Sequence, residues 1–177
     1  MHDKKTLVQE LKTGALDGRI EEVYGCTAPQ TAAYAGRLVR AVEGFVQTFP
    51  ENASAQVGLY SAPGRTEIGG NHTDHQCGCV LAASVNLDAV AAAAPNGTDV
   101  IRFYSEGYGM IEVGLADTDP VESEKESTAS LIRGMAAQAK AGGFEVRGFD
   151  AWCTSSVLGG SGLSSSEIGR ASCRERV

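Results

Sequence analysis

Residues 62–78 read APGRTEIGGNHTDHQCG. A Pro-Gly pair interrupts an apolar run, a permanent cation follows at Arg65, and His72 to Cys79 gather two histidines, two cysteines and an aspartate. That packet has three readings: a metal site, a substrate-binding turn, or a polar loop. Zinc would require His72, His75, Cys77 and Cys79 to enclose one ion. H-x-x-H followed at once by C-x-C is tighter than usual zinc spacing, and one short loop would have to wrap all four sides of a tetrahedron. A Cys77–Cys79 disulfide would be strained. Both cysteines read better as small residues packing at a strand start.

The flanks read as strands. AQVGLYSAPGR predicts a short strand running into a Pro-Gly turn. VLAASVNLDAVAAAA predicts a largely buried strand bent near Asn86, with Asp88 as a strand-end polar residue in preference to a site contact. On the amino-terminal side, Leu38, Val42, Phe45 and Phe49 recur at helical spacing, which predicts a helix over Pro29–Phe49 capped by Thr27 and ended by Pro50. Leu7 and Leu11 mark an earlier helix, and Gly14 and Gly18 weaken the helical pattern after it. On the carboxyl side, Asn96-Gly97 is a hairpin signal. DVIRFYSEG and MIEVGL predict two strands around a glycine-rich turn. The acidic run Asp117–Glu126 reads as a solvated loop. Ser127–Ala141 is a predicted helix with Leu131, Ile132, Met135 and Ala139 on one side. FEVRGFDAWCTSSV predicts a last strand, with Trp152 in the core. Helices, strands, a helix and a strand in this order predict an α+β fold rather than a βαβ alternation. No interdomain linker is visible.

Bulk properties exclude several function classes. The chain has 177 residues, 42% hydrophobic and 21% charged, as a globular domain should. A net charge of −7 argues against a nucleic-acid surface, so any anionic ligand must be held by local donors. No membrane-length apolar run and no secretory leader are visible. Five cysteines without a framework spacing fit a reducing compartment, and a cytoplasmic location is expected.

VLGGSGLSSS, residues 157–166, comes after the last predicted strand and leads toward an expected helix. Its glycines let the backbone approach a ligand, and its serines place hydroxyls beside the free N–H groups of a first helical turn. This is the anatomy of a phosphate cradle. It is neither a Walker A loop, since no lysine follows the glycines, nor a G-x-G-x-x-G turn.

Together the two stretches resemble the first two signature motifs of the galactokinases, within the GHMP family of small-molecule kinases. Gly64, Arg65, Gly70, His72, Thr73 and Asp74 fall in register with the first motif. The chain departs from it at Thr66, Glu67, Ile68 and Gly69, and at Asn71, where the family usually has glutamate. The resemblance runs from about Leu38 to Ser166. It implies a mixed sheet with helices packed on it, an incomplete amino-terminal domain of GHMP-kinase type. It implies that Asn71, His72, Thr73 and Asp74 line a sugar pocket and that Arg65 stabilises the transferred phosphoryl group. It implies an ATP-binding set of Gly160, Ser161, Gly162, Leu163, Ser164, Ser165 and Ser166, with Ser166 reaching Mg²⁺ and Ser105 touching the nucleotide. Physical chemistry agrees: an ionised aspartate accepts from two hydroxyls, a histidine can accept one bond and donate another, and arginine's rigid fork suits a phosphoryl group. The partners expected are a small sugar and ATP.

In the family the catalytic aspartate, the second Mg²⁺ ligand and the third motif lie further along. Residues 1–166 are therefore expected to be a truncated domain, inactive alone. EIGRASCRERV, residues 167–177, resembles translated adapter sequence and is expected to be a non-native tail. Two alternatives stay open: a non-catalytic sugar and ATP sensor acting through a partner protein, and a kinase for a different sugar.

Overall fold

The structure, a computed structural model, describes residues 3–52, 56–69 and 79–157. Three helices come first: α1 (Lys4–Thr13), α2 (Asp17–Tyr24) and α3 (Ala28–Thr48). Five strands come next, β1 (Gly58–Gly69), β2 (Leu81–Pro95), β3 (Val100–Ser105), β4 (Gly109–Gly114) and β5 (Phe149–Ser155), with α4 (Thr128–Ala141) between the last two. The expected α+β class holds.

Local chemistry accounts for most boundaries. The Asp3 carboxylate accepts from the Lys5 and Thr6 N–H groups at 3.1 Å and caps α1. At α3 the Gln30 side chain reaches back to the Thr27 N–H at 3.0 Å, and a proline occupies the first turn. Leu38, Val42, Phe45 and Phe49 are all buried, as their spacing predicts. The existence of α2 differs from the expectation of a weak segment. Gly18 carries a helix penalty of about 1 kcal/mol, but Ile20, 1% exposed, anchors that turn on the core. On α4 the core face is carried by Ala136, with Ala129 and Ile132 against it, rather than by Leu131 and Met135.

The sheet order is β1-β2-β5-β3-β4, antiparallel throughout except for β3 beside β5. This corrects the hairpin expected at Asn96-Gly97. The turn is there, with Gly97 at φ 71°, but β2 and β3 do not pair, because β5 lies between them. The Asn96 amide donates to the Val100 carbonyl and to the Asp150 carboxylate on β5, and the Gly148 N–H donates to Thr98. The turn thus holds a slot open for a strand arriving about 50 residues later. The Pro-Gly turn also needs correction: β1 runs through Pro63 and Gly64 to Gly69.

The two faces of the sheet differ. One, carrying Leu59, Val90, Ala92, Ala94 and Trp152, packs under α1, α2 and α3. On the other, α4 covers Ile101 and Val113. Tyr60, Ala91, Ala93, Phe103, Phe149 and Ala151 line an apolar groove of about 480 Å³ beside it. The alanines of β2 let α3 approach closely. A Cβ on Gly44 would overlap the Trp152 ring. Gly44→Ala is therefore expected to destabilise the protein by about 1–3 kcal/mol, the usual range for overpacking. The helix propensity gained opposes this by up to about 1 kcal/mol. A raised urea midpoint would show that the ring moves aside freely.

Candidate functional site

The site is built where the β1–β2 ribbon leaves the body of the sheet. Up to Pro63, opposite Asp88, the ladder is regular. Beyond it Arg65 faces Ser84, so two steps along β1 match four along β2. The extra residues, Val85 to Leu87, form a bulge around Gly64, which is where the bend near Asn86 was expected. A Cβ on Gly64 would lie 3.1 Å from a Val85 methyl, 3.2 Å from a Val157 methyl and 3.3 Å from the Leu87 carbonyl oxygen. Glycine is needed here so that Val157 can close over the strand. Val157, 5% exposed, packs in a cluster with Ala62, Ala89, Ala91 and Cys153. The residue before Arg65 and the first residue of the glycine-serine stretch are thus neighbours, although far apart in sequence. Arg65 is half-buried on β1.

Asp88 ties this end of the sheet to the helices. It is 2% exposed, and it lies inside β2 rather than at its end. Its carboxylate accepts from Arg37 Nη1 at 2.5 Å, Ser61 Oγ at 2.6 Å and Tyr24 Oη at 3.1 Å. Its carbonyl accepts from Arg37 Nη2 at 3.1 Å and from the Ser156 N–H at 2.9 Å, and its N–H donates to Ser156 Oγ at 3.0 Å. Burial, and then the Asp88 charge, push the Tyr24 phenol up to about 12, so it stays protonated as a donor. Arg37, Tyr24, Ser61 and Ser156 were not singled out from the sequence. One signal was available: an aspartate in an alanine-rich buried strand requires a partner, and Arg37 flanks the apolar stripe of α3.

Ser105 ends β3 opposite Cys153 and Gly109, at the same end of the sheet. Its neighbour Glu106 accepts from Thr154 Oγ1 at 2.7 Å and from Arg40, joining β3, β5 and α3. Two strands separate β1 from β3. Three interstrand spacings make roughly 14 Å across the sheet, and Ser105 is level with Tyr60 through Cys153 and Ala91, so Arg65 lies a further five residues along β1 and the two do not meet one small group.

The other expected site residues, Asn71, His72, Thr73 and Asp74, and Gly160, Ser161, Gly162, Leu163, Ser164, Ser165 and Ser166, lie outside the described residues. So do His75 and Cys77. Both segments are attached at this end: residues 70–78 join β1 to β2, and residues 158–166 come directly after Val157. Cys79 is exposed two positions before β2, which corrects its expected packing role. Burial pushes the Cys153 thiol up to about 12, in keeping with its packing in the core. Among the described residues, no cluster of histidine, cysteine, aspartate or glutamate could hold a metal ion, and no helix is long and apolar enough to cross a membrane.

Comparison with known proteins bears on this geometry. Residues 43–95 match the galactokinase galactose-binding signature, which covers the last turns of α3 and all of β1 and β2. A galactokinase of Ligilactobacillus salivarius is 33% identical over 126 residues, 69% of this chain and 31% of the relative. A galactokinase of Lactococcus lactis subsp. cremoris is 30% identical over 126 residues, 70% of this chain and 31% of the relative. The crystal structure of Lactococcus lactis galactokinase complexed with galactose superposes with a TM-score of 0.61 at 27% identity, over 72% of this chain and 34% of that one. The chain thus spans about a third of the length of the relatives it matches. Over these residues the chain is similar to the galactokinases and matches their galactose-binding signature, on a mixed α+β fold of the GHMP-kinase type.

Proposed function

We propose that the full-length protein containing this chain transfers the terminal phosphoryl group of ATP to galactose, or to a closely related sugar, giving the sugar 1-phosphate. The contact between Gly64 and Val157 carries the reading. It sets the strand bearing Arg65 beside the start of a glycine-serine stretch whose composition suits phosphate. A sugar held by Asn71, His72, Thr73 and Asp74 would then lie near a nucleotide held by residues 160–166. The sugar hydroxyl oxygen bonds to the terminal phosphorus as the bond to the bridging oxygen breaks, and ADP leaves. Arg65 offsets the negative charge on the phosphoryl oxygens.

Mg²⁺ would arrive with the nucleotide and neutralise phosphate charge, and Ser166 is its proposed contact. No residue of this chain is assigned as the base that takes the hydroxyl proton, so the 177 residues alone are proposed to be inactive. Residues 1–166 are read as one incomplete domain and 167–177 as non-native, in a protein of the cytoplasm.

Asn71 bears on which sugar is used. An amide in place of a carboxylate keeps an acceptor, adds donors and removes charge, so the hydroxyl it reads can differ. The test is ADP release by the full-length protein with ATP, Mg²⁺ and a panel of hexoses. Turnover of galactose is expected. Turnover of another hexose alone would correct the sugar, and turnover of none would overturn the kinase reading.

A further inference from the structure

We propose that Asp88 is a positioning residue: clamped by Arg37, Ser61 and Tyr24, it fixes Ser156 and thereby the point from which the nucleotide-binding stretch departs. This rests on the proposed kinase function and assigns part of its nucleotide affinity to a residue outside the proposed ligand contacts.

The clamp stands where ordinary sheet pairing fails on both sides. The β1–β2 ladder slips just beyond Asp88, and the β2–β5 ladder ends at Ala89 opposite Ser155. The next residue, Ser156, is held instead by three hydrogen bonds to the Asp88 backbone, two of them through its hydroxyl. That backbone is in turn immobilised, because Arg37 grips the Asp88 carboxylate with one nitrogen and the Asp88 carbonyl with another. The same carbonyl serves Arg37 and Ser156. Side chains from α2, α3 and β1 therefore converge on a single residue, Tyr24 and Ser61 on its carboxylate and Arg37 on both carboxylate and carbonyl, and its backbone holds Ser156 just past the end of β5.

A pair of this kind is a poor means of stabilising a core. Desolvation consumes much of the Coulombic gain, and apolar residues of equal volume often do as well. What a fully bonded buried pair supplies is a defined geometry. Here that geometry lies one residue before Val157, which seats on Gly64 next to Arg65. A buried carboxylate of similar coordination, Asp150, lies at the opposite end of β5 and provides a control. It accepts from Arg102, Asn52 and Asn96, none of which touches Ser156 or Val157.

The experiment uses the full-length protein with Asp88→Asn, Ser156→Ala, Ser156→Thr and Asp150→Asn. KM is measured separately for ATP and for sugar, and amide hydrogen exchange is followed over residues 155–158 without ligand. Asp88→Asn and Ser156→Ala are expected to raise the KM for ATP about tenfold, the effect of one or two lost hydrogen bonds. The KM for sugar should change less than about twofold, and exchange at Ser156 and Val157 should accelerate about tenfold. Ser156→Thr keeps the hydroxyl and should restore both. Asp150→Asn should lower the unfolding midpoint and leave both readouts unchanged. Equal shifts in the two KM values, an Asp150→Asn shift in KM for ATP as large as that of Asp88→Asn, or unchanged exchange in Asp88→Asn would each overturn the proposal. The exchange measurement needs no turnover, so a protein that phosphorylates no sugar would defeat the kinase reading while this one was still decided.

Discussion

Replacing Asp150 by alanine is expected to cost about 3–5 kcal/mol of folding stability, the range for removing one partner of a buried ion pair. Asp150 is fully buried and receives four charged or amide donors. Arg102 Nε and Nη2 donate at 2.7 Å each, Asn52 Nδ2 at 2.7 Å and Asn96 Nδ2 at 2.8 Å. These donors come from β3, from the turn after α3 and from the turn between β2 and β3, so the carboxylate joins three segments at one point. Two facts favour the lower end of the range. Arg102 also donates to Glu51 at 2.5 Å, and each asparagine has a second acceptor, Pro95 or Val100. A loss below about 1 kcal/mol in urea denaturation, the value of an ordinary hydrogen bond, would show that those secondary partners suffice.

The same residue sets an acid limit. Burial alone would raise its pKa, but the donors from Arg102, Asn96 and Asn52, with the Arg102 charge, outweigh burial and hold the carboxyl below its usual value. A depressed folded pKa means stability that is complete above the unfolded value, about 3.9. It is lost as pH falls through the folded value. The wild type should therefore lose stability faster than Asp150→Asn below about pH 4. Parallel curves for the two would show that Asp150 is not the group responsible.

The legibility of each element in the sequence depends on which forces act locally. The positions of α1, α3 and α4 were legible because caps and apolar periodicity are properties of contiguous residues. The β3–β4 hairpin was legible for the same reason. The place of β5 was not, since Asn96-Gly97 specifies a turn and says nothing about which strand fills the space beside it. The passage of β1 through Pro63-Gly64 was hidden likewise, because a bulge in β2 accommodates it. Within the candidate site, Arg65 and Ser105 were named through a motif and a resemblance, and their roles are proposals. The Asp88 clamp was missed because its partners lie 27 to 68 positions away, and only the fold brings Tyr24, Arg37, Ser61 and Ser156 together.

Arg65→Ala in the full-length protein is expected to lower kcat by about 10²–10³-fold, or about 2.7–4 kcal/mol, the usual consequence of deleting a donor that meets charge only in the transition state. The fold should tolerate the change. Arg65 pairs with Ser84 in the β1–β2 backbone ladder, which alanine preserves, and the urea midpoint of Arg65→Ala reports what its side-chain interactions add. An interaction confined to the transition state predicts that kcat and kcat/KM fall together, with the KM values for ATP and sugar little changed. Arg65→Lys keeps the charge but loses the planar fork, so it should recover part of the lost rate. A raised KM for ATP at unchanged kcat would instead make Arg65 a ground-state phosphate ligand. Its position explains why the choice matters. Gly64 packs under Val157, so the Arg65 backbone is anchored beside the residue that follows the end of β5. On the proposed kinase reading, a guanidinium carried by so anchored a backbone would need little reorganisation as charge develops on the phosphoryl group.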